Sequence, residues 1–293
     1  HFSCAFLWLV NCDLCMHYNN HVDQLRVIMQ QPNVFFLSHG GGPLPLLGEP
    51  SHKEMVTCLQ SVAAKISKPS AILMISAHFE ADPITITAST TPKLIYDYYG
   101  FPEQAYQVTY PCAGEPQLAE QVQQALQSNG IAANLDTQRG FDHGMFVPLK
   151  IMFPEADIPC VQISLHPSLD PLLHLQLGKA LQSVDYDNLL IIGSGFTFHN
   201  MRAFGTTQSS DVNQQNQAFE NWLVNTVADQ TLTEQQREQQ LLMWSQAPAA
   251  RFNHPREEHL LPLHVCYGAA MRASSEVFEL NIANKQASMY LWQ

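Results

Sequence analysis

Asn33-Val-Phe-Phe-Leu-Ser-His39-Gly-Gly-Gly-Pro43 is an apolar run that stops at a histidine, three glycines and a proline. Such a run, too short for a helix and closed by turn residues, reads as a buried strand. Two more stretches repeat the arrangement: Ala71-Ile-Leu-Met-Ile-Ser-Ala-His78-Phe-Glu, and Leu189-Leu-Ile-Ile-Gly-Ser-Gly-Phe-Thr-Phe-His199. Each is rich in Ile, Leu or Phe, as strands covered on both faces are, and each ends in a histidine.

Outward from these, strands are predicted at Asn33–Leu37, Ala71–Ser76, Ile84–Ala88, Ile131–Leu135, Cys160–Leu165 and Leu189–Ile192. Helices are predicted near Ser51–Ile66, Glu115–Ser128 and Pro171–Ser183, with a Gln-rich pair at Asp211–Ala228 and Thr233–Ser245. Phe219, Trp222, Leu223 and Val227 keep helical spacing on one face of that pair, which excludes a disordered Gln tract. Alternation of strands and helices without a linker predicts a single α/β domain, with a central mixed, largely parallel sheet flanked by helices. In open α/β sheets ligands bind beyond the carboxyl ends of the strands, so His39, His78 and His199 are expected to converge there.

The chain has 293 residues, 46% of them hydrophobic, enough for a sizeable core. A net charge of −12 repels phosphate backbones and anionic membrane surfaces, so neither nucleic acid nor membrane is an expected partner. No apolar run approaches the roughly 20 residues that cross a bilayer. Seven scattered cysteines do not make the paired framework of a small secreted domain and point to the reducing cytoplasm. Residues 1–28 read as a non-native or disordered extension, with Met29 the expected start of a catalytic domain over 29–293, and Cys12-x-x-Cys15 lacks the second pair of a zinc site.

Thirteen histidines is a high count, and their placement is chemical. Neutral imidazole is the commonest protein metal ligand, and a site open to substrate takes about three protein ligands. The glycines after His39 let backbone approach a ligand closely, or form a plain turn. In Arg139-Gly-Phe-Asp142-His143-Gly144 a histidine opens a helix, a position suited to proton transfer; Asp142 either orients it or caps the helix. His254-Pro-Arg-Glu-Glu-His259-Leu-Leu-Pro-Leu-His264 leads into the last long helix, with His254 before it, His259 on its first turns and His264 in the core. The Tyr-rich loop Leu94–Gly114, including Tyr98 and Tyr99, forms either an aromatic wall over a pocket or a cover for a sheet edge. No phosphate-binding loop and no G-x-S-x-G elbow is present.

Five motifs in order, Ser-His-Gly-Gly-Gly-Pro, Ser-Ala-His-Phe-Glu, Arg-Gly-Phe-Asp-His-Gly, Gly-Ser-Gly-Phe-Thr-Phe-His-Asn and His-Pro-Arg-Glu-Glu-His-Leu-Leu-Pro-Leu, resemble the type III extradiol ring-cleaving dioxygenases, in the branch similar to 4,5-DOPA dioxygenase. The resemblance runs from about Asn33 to the C-terminus and implies a non-haem metal: Fe(II) for activity, with zinc possible in the same site. It implies His39 and His78 as ligands, with a third from the stretch His254 to His259. His259 is preferred, and His254, His199 or the neighbouring Glu257 and Glu258 are alternatives. It implies His199 and His143 as the catalytic histidines, whose tasks could exchange, and His254 and Tyr99 as substrate contacts. The implied reactants are a small aromatic diol and O2. The same three-histidine site would also serve a zinc-dependent hydrolase, and a non-catalytic binding protein could keep the fold. Arg139, Arg202, Arg251 and Arg256 are the candidates to pair with a substrate carboxylate.

Overall fold

The computed structural model describes residues 32–204 and 210–293. The expected extension at residues 1–28 and its Cys12-x-x-Cys15 lie outside them.

Eight strands form one sheet in the order β4-β3-β5-β2-β6-β1-β8-β7. They are β1 (Asn33–Ser38), β2 (Ala71–Glu80), β3 (Ile84–Thr87), β4 (Ala133–Asp136), β5 (Cys160–Leu165), β6 (Leu189–Gly195), β7 (Glu276–Ile282) and β8 (Lys285–Trp292). The centre, β5-β2-β6-β1, is parallel throughout. Sequential parallel strands need crossovers, and helices supply them: α1 (Lys53–Lys65), α2 (Pro116–Ser128), α3 (His143–Met152) and α4 (Pro171–Leu181). After β6 come α5 (Met201–Phe204), α6 (Ser210–Ala228), α7 (Glu234–Leu242), α8 (Ala250–Asn253) and α9 (Leu261–Ala270).

The sheet separates two apolar cores. On one face α4 and α9 cross closely over Leu73, Val161 and Ile191; on the other, α1 and α3 cover Phe35, Ile72, Met74 and Ile192. All six predicted strands are present, and the architecture is the mixed α/β sheet expected.

Two features differ from the expectation. The chain ends in an antiparallel hairpin, β7-β8, that pairs with β1 through β8. Its turn residues Ala283 and Asn284 both have positive φ (52° and 62°), as a tight two-residue hairpin turn requires, but no glycine marks it. The last long helix starts at Leu261, two residues after His259, because the His259 carbonyl is taken by the Phe196 amide at 3.0 Å. His259 therefore sits in the approach to the helix.

β1, β2 and β6 lie side by side and parallel, so Ser38, Glu80 and Gly195 end at one edge of the sheet. Between Ile75 and Glu80 the pairing of β2 with β5 shifts register, an irregularity of the kind that re-aims side chains, and His78 lies within it.

Candidate metal and catalytic centre

His39 follows β1 directly and its amide donates to the Gly195 carbonyl at 3.2 Å, which seats it beside the end of β6. The glycine loop after it is pinned, since the Gly41 amide donates to Nε2 of the buried His52 at 3.0 Å. Sequence reasoning gave His52 no task.

The rings of His39, His78 and His259 form a triangle, with centroids 4.8, 5.1 and 5.0 Å apart. His143, the first residue of α3, packs beside them with its ring 4.0 Å from that of His78. His199 stacks on His259 at 3.4 Å and 15°. Five histidines from five separate segments thus share one edge of the sheet, and groups able to hold a metal ion are His39, His78 and His143, and His199, Glu258 and His259.

Hydrogen-bond accounting fixes how the rings are presented. Ser194 Oγ donates its one proton to the Gly144 carbonyl at 2.5 Å, so at 2.9 Å it must accept from His39 Nδ1–H. Asp97, an acceptor only, takes Nδ1–H of His143 on Oδ1 at 2.8 Å and faces Nδ1 of His78 with Oδ2 at 3.5 Å. Glu258 Oε1 takes Nδ1–H of both His199 and His259, each at 3.0 Å. With Nδ1 protonated, the neutral rings of His39 and His259 carry a lone pair on Nε2. The Nε2 atoms of His39 and His78 approach to 3.1 Å.

Burial first, and then the neighbouring imidazoles, push the pKa of His39 and of His78 well below the ordinary value. Burial lowers His259 to about 4, against the pull of Glu258. Burial alone would raise Glu258, yet hydrogen bonds from His199 and His259 hold it far below the usual carboxylate range. Asp97 is likewise held down by His143 against burial. His39, His78 and His259 are thus neutral imidazoles, beside two ionised carboxylates.

Asp142 does not orient His143. Its carboxylate instead accepts from Ser76 Oγ at 2.7 Å, Gln162 Nε2 at 2.5 Å and Arg139 at 3.2 Å, tying β2 and β5 to the start of α3. Burial, and then Asp97, raise its pKa. Asp97 accepts from the His143 amide at 3.0 Å as well as from its ring, so it does both jobs considered for Asp142. The loop that carries it is held by paired backbone bonds of 2.8 Å between Lys93 or Ile95 and Phe141, a contact distant in sequence and without a local signature.

Two expected contacts stand apart. His254 is fully buried, donates through Nε2 to the Thr197 carbonyl at 2.7 Å, and packs its ring against Phe219 and Trp244. The ring expected as an alternative ligand or substrate contact is thus enclosed in the core. Tyr99 is 92% exposed; its neighbour Tyr98 is buried and sets its ring 5.7 Å from that of His143, so Tyr98 is the one of the two that packs beside the cluster. His264 is a core histidine, as expected, bonded to the Leu241 carbonyl at 2.9 Å.

A cleft of about 600 Å³ opens beside the cluster, lined by His199, Arg202, Phe252, Arg256 and Glu258. Arg256 forms a two-pronged pair with Glu80, 2.7 Å on each arm, and lies 3.4 Å from Glu258. Arg139 is taken by Asp142 and the Phe79 ring, and Arg251 by Glu257 and Trp244. Among the described residues Arg202 is the one of these four arginines whose guanidinium pairs with no carboxylate.

Residues 33–290 match the sequence family described as the catalytic LigB subunit of aromatic ring-opening dioxygenase. The dioxygenase tasH of Hapsidospora irregularis is 40% identical over 81% of this chain and 78% of its own length. A 4,5-DOPA dioxygenase extradiol of Beta vulgaris is 39% identical, covering 80% of this chain and 86% of that protein. In fold, the chain is similar to the crystal structure of an uncharacterized protein from Escherichia coli K12, with a TM-score of 0.69 over 89% of this chain and 100% of that one at 24% identity.

Proposed function

The chain belongs to the family of catalytic LigB subunits of aromatic ring-opening dioxygenases, and from that premise we propose that it cleaves a catechol-type diol with O2 at ferrous iron held by His39, His78 and His259. It is a ring-cleaving dioxygenase by family; the diol, the iron and the individual residue roles are the proposal.

One observation carries it. The Nε2 atoms of His39 and His78 approach to 3.1 Å, while Ser194 accepts the His39 Nδ1 proton and the Asp97 carboxylate stands 3.5 Å from Nδ1 of His78. With the proton of each ring on Nδ1 the two rings point lone pairs at each other, and a cation between them turns that repulsion into binding. The His259 ring, its Nδ1–H likewise engaged, completes the triangle. Three nitrogen donors from one edge of a sheet suit zinc as well as iron, so redox chemistry depends on the metal and not on the donor set.

Ferrous iron, when bound there, would supply open positions for the diol oxygens and O2. His199, 23% exposed in its side chain and lining the cleft, takes the diol proton on Nε2 while Glu258 holds its Nδ1–H and stabilises the imidazolium. His143, its Nδ1–H held by Asp97, turns Nε2 toward the reacting face, where it takes up a proton and delivers it to the negative charge that ring opening develops. Tyr98 gives the aromatic ring a flat neighbour. The four described cysteines, all free and buried, support a reducing compartment such as the cytoplasm.

Anaerobic loading with Fe(II), then a panel of catechols in air, tests the proposal by O2 uptake and the yellow absorbance of a ring-opened semialdehyde. Turnover in the wild type that vanishes in His39→Ala and His78→Ala supports it. Stoichiometric iron with no uptake for any catechol would overturn it.

A further inference from the structure

The two carboxylates of the cluster are used in the same way. Each faces one proposed metal ligand and one proposed proton-transfer histidine through Nδ1: Asp97 bonds His143 at 2.8 Å and sets Oδ2 3.5 Å from His78, and Glu258 stands 3.0 Å from both His259 and His199. We infer that Asp97 and Glu258 are paired positioning residues that jointly set the tautomers of these four imidazoles, so that every Nε2 faces the reacting space. The inference rests on the proposed metal and proton-transfer roles for its meaning, though the tautomers can be observed without them.

A carboxylate has no proton to give, so any imidazole nitrogen within bonding reach of it must be the N–H. Turning one ring over would set a lone pair against an anion in a mostly buried site, where an unmade hydrogen bond is costly. Ser194 does the same for His39 by spending its own proton on the Gly144 carbonyl. In metal sites such outer partners typically govern affinity by about 10- to 100-fold. Glu258 is itself anchored, since Arg256 lies 3.4 Å from it and grips Glu80 on β2, two residues from His78.

The two carboxylates differ in one respect that makes the inference testable. Asp97 turns a separate oxygen to each ring, with Oδ1 bonded to His143 and Oδ2 3.5 Å from Nδ1 of His78. Asparagine has only one acceptor oxygen, so in Asp97→Asn an amide N–H confronts one of the two imidazole N–H groups, and that ring must change tautomer or turn away. Glu258 uses the single oxygen Oε1 for both of its rings. In Glu258→Gln the amide oxygen can keep both bonds, and only the charge is lost; Glu258→Ala loses everything.

The experiment is nitrogen-15 NMR of the histidine side chains in metal-free and zinc-loaded protein, with zinc affinity measured by competition against a chromophoric chelator. Amide spectra establish that each variant is folded. Expected are four Nδ1–H tautomers in the wild type, at least one changed in Asp97→Asn with a 10- to 100-fold loss of zinc affinity, and all four kept in Glu258→Gln with a smaller loss than in Glu258→Ala. Unchanged tautomers and affinity in Asp97→Asn, or equal damage from Glu258→Gln and Glu258→Ala, would overturn the inference. Wild-type protein that binds no zinc but shows the four tautomers would instead count against the metal site alone.

Discussion

Replacing Gly195 by alanine is a one-carbon perturbation placed between two of the proposed ligands. The Gly195 carbonyl accepts from the His39 amide at 3.2 Å, and the next residue's amide donates to the His259 carbonyl at 3.0 Å. An added Cβ would lie 2.1 Å from the His259 carbonyl oxygen, where real Cβ contacts essentially never fall under 3.0 Å, so backbone must retreat by about 0.9 Å. The conflict is one of space, since Gly195 is not among the glycines with positive φ. Overpacking of this kind costs about 1–3 kcal/mol. Losing the Phe196 to His259 bond adds about 1 kcal/mol. A melting temperature lower by roughly 4–8 °C follows for a domain of this size. A displacement approaching 1 Å in the catalytic constellation is expected to cost on the order of 100-fold in turnover. Differential scanning calorimetry, chelator competition and O2 uptake on one preparation measure all three. An alanine variant that melts and binds metal like the wild type would refute the claim that His259 is placed by its contact with the end of β6.

Further outcomes follow from the same geometry. Adding zinc to chelator-stripped protein raises its melting temperature, by about 2.7 kcal/mol of stability at a hundredfold excess over Kd, and this rise is absent in His39→Ala; scanning fluorimetry reads both. His254 is buried, and its pKa is lowered to about 3 by burial first. The unfolded chain therefore binds the extra proton below about 6.5, and stability falls as pH drops from there toward 3, by roughly 1–2 kcal/mol between pH 6.5 and 5. Urea titrations of His254→Phe should lose that part of the slope, and an unchanged slope would remove His254 as its source. Arg202→Ala should raise KM about tenfold for catechols bearing a carboxylate and leave neutral catechols unaffected, since its guanidinium has no carboxylate partner among the described residues.

The central sheet was legible because buried parallel strands leave continuous apolar runs, and His39, His78 and His199 were legible because each follows one. His143 was legible from its place at a helix start and His259 from the ligand-type cluster before the last long helix, and the structure brings both to the same edge. Asp97 was hidden among the tyrosines of a loop, since nothing local shows that Lys93 and Ile95 pair with Phe141. The closing hairpin was missed because Ala283-Asn284 makes its turn without glycine. His254 misled because a histidine next to a motif resembles a ligand, whereas Phe219 and Trp244, far from it in sequence, enclose it.

The most direct measurement is mass spectrometry of the product formed from a catechol by the iron-loaded protein under oxygen-18 gas. Ring cleavage at the histidine cluster predicts that the open-chain product carries both labelled atoms at the moment of formation, and that His199→Gln yields none while retaining its metal. A product labelled from water alone, or label incorporated equally by the His39→Ala variant, would contradict the account.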